Sequence, residues 1–322
     1  MQDTTYRNGV IATVTAYLLW GILPLYWKLL EHVPAMEVLA HRIIWSLVLM
    51  FLLLLARKQL PAFWKECKII FSNKKSAFGI TFAAFFISIN WFLFIWAVAN
   101  ERVVEASLGY YINPLISVLL GILFLKERFT RWQAVSFVLA FIGVMILTLF
   151  YGVVPWVSLI LACSFGIYGL LKKTVQIGAL FGLTIETLIT APFALGFLYF
   201  YHQQLAESRS FFVDSTTAWL LIIAGAATAI PLLLFATGAR RIPLSLMGFL
   251  QYIAPTLMLI LGVFLYKEPF HLSQLIAFLF IWTGLFIFTS SRLGFLQKLG
   301  RHLPFRQRHR KSESLEKGKQ AL

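Results

Sequence analysis

Three ionisable residues stand where this apolar chain can least easily hold them. His41 and Arg42 lie inside one hydrophobic run, and Glu186 lies inside another. His41 and Arg42 lie roughly six residues into their run, about 9 Å at 1.5 Å per residue. A charge inside hydrocarbon is costly, so such residues normally face a cavity or a partner. A carboxylate and an imidazole brought together there could load and release a proton. Each could equally serve as a structural hydrogen bond between helices. For Arg42 the long side chain favours snorkelling out to the headgroups. Glu105 stands near the end of a further apolar run, with Asn113 and Pro114 beyond it. A helix kinked at Pro114 would expose backbone groups able to bind a solute. Glu105 could instead cap its helix N-terminus, where the dipole favours a carboxylate.

Polar and aromatic residues complete the candidates for a pathway: Asn90, Trp91, Tyr110, Gln251, Tyr252 and Trp20. Their rings could stack on an organic or cationic solute. Most aromatics in membranes are packing or interface anchors, however, and that is the preferred reading for the tryptophans. No GK[ST] phosphate loop, HExxH pair or GxSxG elbow occurs, so the chain does not read as an enzyme. It calls for no cofactor and no metal, and its two cysteines, Cys67 and Cys163, offer no disulfide framework.

The elements that must position these residues follow from composition. The 322 residues are 60% hydrophobic and 13% charged, against about 25% charged for a soluble domain. Runs of about 20 apolar residues, long enough to cross a bilayer as helices, recur along the length. Ten spans are expected, at 8–28, 36–56, 77–99, 103–125 and 130–149, then 153–171, 178–200, 216–238, 243–266 and 271–290. They must be helices, because an open sheet would leave backbone groups unpaired in lipid. The first span is too long, and too rich in Trp and Tyr near its end, for a cleaved signal peptide.

The net charge of +15 sits mostly on one side. Counting from an N-terminus placed inside, only Lys28, Arg102, Arg209 and Lys267 fall in outer loops, and Arg42 falls within a span. The other 23 of the 28 lysines and arginines lie on inner segments, which orients both termini to the cytoplasm. The basic tail, 291–322, then reads as an orientation or lipid-headgroup signal, and nucleic acid is set aside as a partner.

The segment YINPLISVLLGILFLKERF from Tyr111 recurs as YIAPTLMLILGVFLYKEPF from Tyr252, an offset of 141 residues. Pro114/Pro255, Lys126/Lys267, Glu127/Glu268, Gln133/Gln274 and Gly143/Gly284 recur in step. At an offset of 145, Gly21, Ile22, Leu25 and Lys28 meet Gly166, Ile167, Leu170 and Lys173, and His41 meets Glu186. Two units of five spans must enter the membrane from opposite sides, since five is odd. Inverted repeats of this kind suit a secondary transporter whose site lies at the midplane, and His41 and Glu186 would then converge near the symmetry axis.

These residues resemble the drug/metabolite transporter superfamily in its EamA-type branch. AYLLWGILPLYWKLLEHVPAMEVLAHRIIWS (Ala16–Ser46), NWFLFIWAV (Asn90–Val98) and EASLGYYINPL (Glu105–Leu115) are similar to the RarD permeases within it. The likeness covers residues 8–290, and the basic tail from Arg292 departs from it. It implies a bacterial inner-membrane permease, linked by name to chloramphenicol sensitivity, and leaves the substrate open.

The expected architecture is therefore an all-α integral membrane protein, with ten transmembrane helices as two inverted five-helix repeats, 8–149 and 153–290. The expected activity is movement of a small organic solute by alternating access, with a proton gradient or the solute's own gradient as energy source. A non-transporting membrane sensor or assembly factor is the alternative on the same fold.

Overall fold

The computed structural model describes residues 2–100, 103–152, 156–204, 211, 214–265, 267 and 271–292. The chain forms α1 (Gln2–Lys28), α2 (Ala35–Ala56), α3 (Leu60–Ser72), α4 (Lys74–Ala99), α5 (Val103–Leu125) and α6 (Arg131–Tyr151). There follow α7 (Trp156–Thr174), α8 (Ala179–Gln204), α9 (Ser215–Ala239), α10 (Leu244–Gln251) and α11 (Ile253–Ile260). A π turn (Leu261–Leu265) continues α11, and α12 (Leu272–Arg292) closes the order. Ten stretches are long and apolar enough to cross a membrane, and each of the ten expected runs corresponds to one of them. The ninth is assembled from α10, α11 and the π turn.

The helix α3 is an addition to the expected set. Phe63, Cys67 and Ile70 recur at helical spacing and bury one stripe against Leu54, Ile80, Val175 and Ile185. Lys65 and Lys68 remain exposed on the other face, the pattern of a helix lying along an interface. Burial also raises the pKa of the Cys67 thiol. Pro114, where a kink is expected, lies inside α5, whose helical bonding continues past it. The interruption occurs in the equivalent stretch instead, at Tyr252 between α10 and α11. Pro255 there removes an N–H and crowds the carbonyl four residues back, at Gln251.

Packing repeats along with the letters. Numbered as ten spans, the helices pair 5 with 10, 4 with 9, and 2 with 7. They also pair 4 with 6 and 9 with 1, 2 with 8 and 7 with 3, and 3 with 6 and 8 with 1. This set is unchanged when every span is exchanged for the one five places away. Lys126 and Lys267 both hold left-handed backbone, at φ 52° and 57°. The Gln133 side chain accepts from the Thr130 N–H at 3.0 Å, and Gln274 accepts from the His271 N–H at 2.8 Å. Spans 5 and 10 cross at their glycines: a methyl group on Gly143 would lie 2.6 Å from the Ala277 carbonyl oxygen, and one on Gly284 2.7 Å from that of Ser136. Small residues at such crossings let helix backbones approach. The matched letters are thus a turn, a cap and a crossing.

Candidate functional site

Between α7 and α8 the chain turns back within a few residues, so the end of one helix faces the beginning of the next. Tyr168 and Lys172, four apart, share a face of α7. Glu186 on α8 meets both: the Lys172 Nζ donates to its Oε1 at 2.7 Å, and the Tyr168 hydroxyl donates to its Oε2 at 3.1 Å. All three side chains are buried. A buried charge is tolerated when paired and hydrogen-bonded, and here one carboxylate takes a cation on one oxygen and a phenol on the other. Glu186 also borders two clefts. One, narrow at about 10 Å³, runs past Lys172, Val175, Ile177, Ala179 and Arg240. The other, equally narrow at about 10 Å³, is lined by Ile87, Trp91, Thr187, Thr190 and Leu232 besides Tyr168 and Glu186.

Trp91 links this second cleft to Arg42. The guanidinium carbon lies 4.5 Å from the centre of the Trp27 ring and 5.6 Å from that of Trp91. Its Nε donates to the Thr228 hydroxyl at 2.8 Å, halfway along α9. Arg42 therefore turns inward, and the expectation that it snorkels to the headgroups is corrected. A guanidinium is weakly hydrated and stacks on aromatic faces, so two indole rings and a hydroxyl can hold it between helices.

His41 and Glu186 are kept apart. Leu39 and Ile43, on either side of His41, belong to one cluster with Ala191 and Ala194, whereas Leu54 clusters with Ile185. At 1.5 Å per residue the two levels differ by roughly 12 Å. His41 stacks on Phe211, with ring centres 4.8 Å apart. The two helices run antiparallel, so residues at matching depth in opposite entries lie on opposite sides of the midplane.

The other candidates divide by what they touch. The Asn90 amide donates to the Leu161 carbonyl at 2.9 Å and the Ser164 hydroxyl at 3.1 Å, tying α4 to α7. Trp20 packs among Tyr17, Phe165 and Phe235. Tyr110 packs edge-on against Phe94 and lies within electrostatic reach of Arg42. Asn113 is buried, and among the described residues its Oδ1 has no hydrogen-bond partner. Gln251 and Tyr252 are buried at the break in the ninth span. The Glu105 side chain and the tail from 293 lie outside the described residues.

Lys172, Tyr168 and the inward Arg42 escaped the sequence reading. Lys172 sits in a basic pair at a helix end and reads there as an orientation charge. The 145-residue offset could have found it. It sets Lys172 against Trp27 and Glu186 against His41, so the positions forming the ion pair in one half border the arginine–tryptophan contact in the other.

Both halves match the model of the EamA-like transporter family, at residues 7–149 and 154–290. The chain is 49% identical over 295 residues to the "Uncharacterized transporter YojE" of Bacillus subtilis, covering 91% of this chain and 97% of that protein. It is 41% identical over 291 residues to "Protein RarD" of Escherichia coli, covering 89% and 96%. At 31% identity it matches the "Chloramphenicol-sensitive protein RarD" of Pseudomonas aeruginosa over 87% of this chain and 93% of that one. A solved crystal structure, 20% identical, superposes with a TM-score of 0.67 over 87% of this chain and shares its fold. Ten apolar spans in matched pairs, two clefts meeting at a buried carboxylate and these relatives lead to one assignment: the chain belongs to the EamA-like transporter family, as a multi-pass transporter of the bacterial inner membrane of the RarD type.

Proposed function

We propose that this protein is a secondary-active permease that moves a small organic solute by alternating access of two inverted halves, 8–149 and 153–290, with both termini cytoplasmic. The observation that carries the reading is the place of Glu186, buried between two clefts and bordering each. A carboxylate so placed can exchange a proton with whichever cleft is open. Protonation removes its charge and releases the Lys172 ammonium, so the α7–α8 contact changes with the proton. Trp91, Thr187 and Thr190 line the solute's route, with Tyr110 and Asn113 beside it. His41 belongs to the opposite half of that route, at a different depth. The paired packing of spans supports rocking of one half against the other.

Reconstitution tests this directly. Liposomes carrying the purified protein are exposed to a bacterial metabolite extract, and mass spectrometry records what crosses with and without a pH gradient. Compounds that move only with the protein present establish the permease. Glu186→Gln is expected to abolish accumulation driven by the gradient while exchange of solute persists. Undiminished accumulation in that variant would sink proton coupling through Glu186, and no protein-dependent movement in a folded preparation would sink the permease reading.

A further inference from the structure

Arg42 is, among the described residues, a cation without a carboxylate partner. Among the described residues its guanidinium makes a single hydrogen bond, from Nε to the neutral Thr228 hydroxyl, and no carboxylate pairs with it. Glu186 is already paired with Lys172, and Glu37, the other buried acid among the described residues, makes no ion pair with Arg42. Arginine carries five N–H donors in a fixed planar fork. The two rings of Trp27 and Trp91 cover faces of that plane and leave the four terminal donors along its edge. The side chain is only half-buried, so it is not sealed off by its neighbours. An uncompensated charge at this depth is expensive, and an oxyanion received bidentately by the fork is the partner its geometry fits best.

Resting on the permease reading above, we propose that the transported solute carries a carboxylate, that Arg42 receives it through its terminal amino groups, and that Trp27 and Trp91 hold the fork in place and pack on the solute's apolar body. The neighbouring cleft agrees with a small molecule of mixed character. In this conformation it is closed down to about 10 Å³, room for about one water molecule, so a solute enters only when the halves part. Its walls are apolar at Ile87, Leu183 and Leu232 and aromatic at Trp91. The hydroxyls of Thr187 and Thr190 donate to their own helix backbone, so the lone pairs of those oxygens remain to accept from a solute. Arg42 is then a specificity-determining residue and Glu186 the separate coupling group.

The test uses the full-length protein with L-amino acids, aliphatic and aromatic monocarboxylates, the methyl ester of each acid, and phosphate monoesters as probes. Thermal shift in detergent reads binding, and counterflow in proteoliposomes reads transport. At least one free acid is expected to raise the melting temperature and to exchange, while its methyl ester does neither. Arg42→Gln is expected to raise the half-saturating concentration roughly tenfold or more, the scale of a lost charge-assisted hydrogen bond. Arg42→Lys is expected to fall between, since it keeps charge and loses the fork. The comparison of acid with ester in the wild-type protein decides the matter even if the Arg42 variants do not fold. Esters binding as well as acids, phosphate monoesters binding where no carboxylate does, or unchanged affinity in folded Arg42→Gln would each overturn the proposal. If solutes from a metabolite extract cross but none carries a carboxylate, Arg42 loses this role while the permease reading stands. If nothing crosses in a folded preparation, both fall.

Discussion

The Tyr252 hydroxyl donates to the backbone carbonyl of Tyr111 at 3.3 Å, and these two tyrosines occupy equivalent places 141 residues apart. A contact between equivalent residues lies close to the axis that relates the halves, so spans 4 and 9 meet there. The bond is long, and the ring is buried. Tyr252→Phe is expected to cost less than about 1 kcal/mol, near the low end for a hydrogen bond. Tyr252→Ala should cost about 3–5 kcal/mol through the cavity it leaves. Thermal unfolding in detergent compares the two.

Removing one member of the buried ion pair differs from removing both. Lys172→Met strands the Glu186 charge and is expected to destabilise by about 3–5 kcal/mol. Lys172→Met combined with Glu186→Gln should recover most of that loss. A double-mutant cycle on unfolding free energy measures the difference, and purely additive effects would show that the pair is not coupled.

The first turn of α10 has a cap supplied from elsewhere in the chain. Pro243 precedes it and offers no side-chain acceptor. The Glu127 carboxylate, in the loop after α5, accepts from the N–H groups of Leu244 at 2.7 Å and Ser245 at 3.0 Å. Lys173 meanwhile donates to the Ala239 and Ile242 carbonyls at 3.3 and 2.6 Å, which holds the preceding turn. Glu127→Ala is expected to cost about 0.5–2 kcal/mol, as for a lost N-cap. Hydrogen exchange at Leu244–Met247 should speed up, and Glu127→Gln should have the smaller effect.

Gly143 and Gly284 test whether the crossing of spans 5 and 10 is equally tight from both sides. Any side chain at either position meets a backbone oxygen of the other helix, which cannot move aside as a flexible side chain would. Gly143→Val and Gly284→Val are expected to reduce folded yield to a similar degree. Size-exclusion profiles of the two variants, set against the wild type, read this out.

Asp214 gives the N-terminal end of α9 a pH response. Its carboxylate accepts from the Thr217 N–H at 2.9 Å and the Thr217 hydroxyl at 3.2 Å. The backbone N–H of Thr217, helped by that of Thr216, holds its pKa below the usual range. With the folded value depressed, the stabilising contribution is complete above the unfolded value of about 3.9 and disappears as pH falls through the folded value. Asp214→Asn keeps a capping oxygen and does not titrate. Its melting temperature should lack the acid-induced decrement that the wild type shows as pH falls below about 4. Parallel curves for the two proteins would remove Asp214 as the cause.

What could be read from the letters and what could not separates along one physical line. A span's existence depends on length and hydrophobicity, because in lipid each backbone group must be satisfied within its own helix, so all ten spans were legible locally. The repeat was legible because Lys126/Lys267, Gln133/Gln274 and Gly143/Gly284 each do a local job that only those residue types do well. Facing was not legible. In water an apolar stripe marks a helix's inner side, but lipid is as apolar as the protein interior, so α4, α8 and α9 are apolar all round and carry no such mark. Rotation and depth therefore belonged to the tertiary structure alone. They turned Arg42 inward onto Trp27 and Trp91, set Lys172 rather than His41 against Glu186, and broke the ninth span at Tyr252 while Pro114 stayed within an unbroken helix.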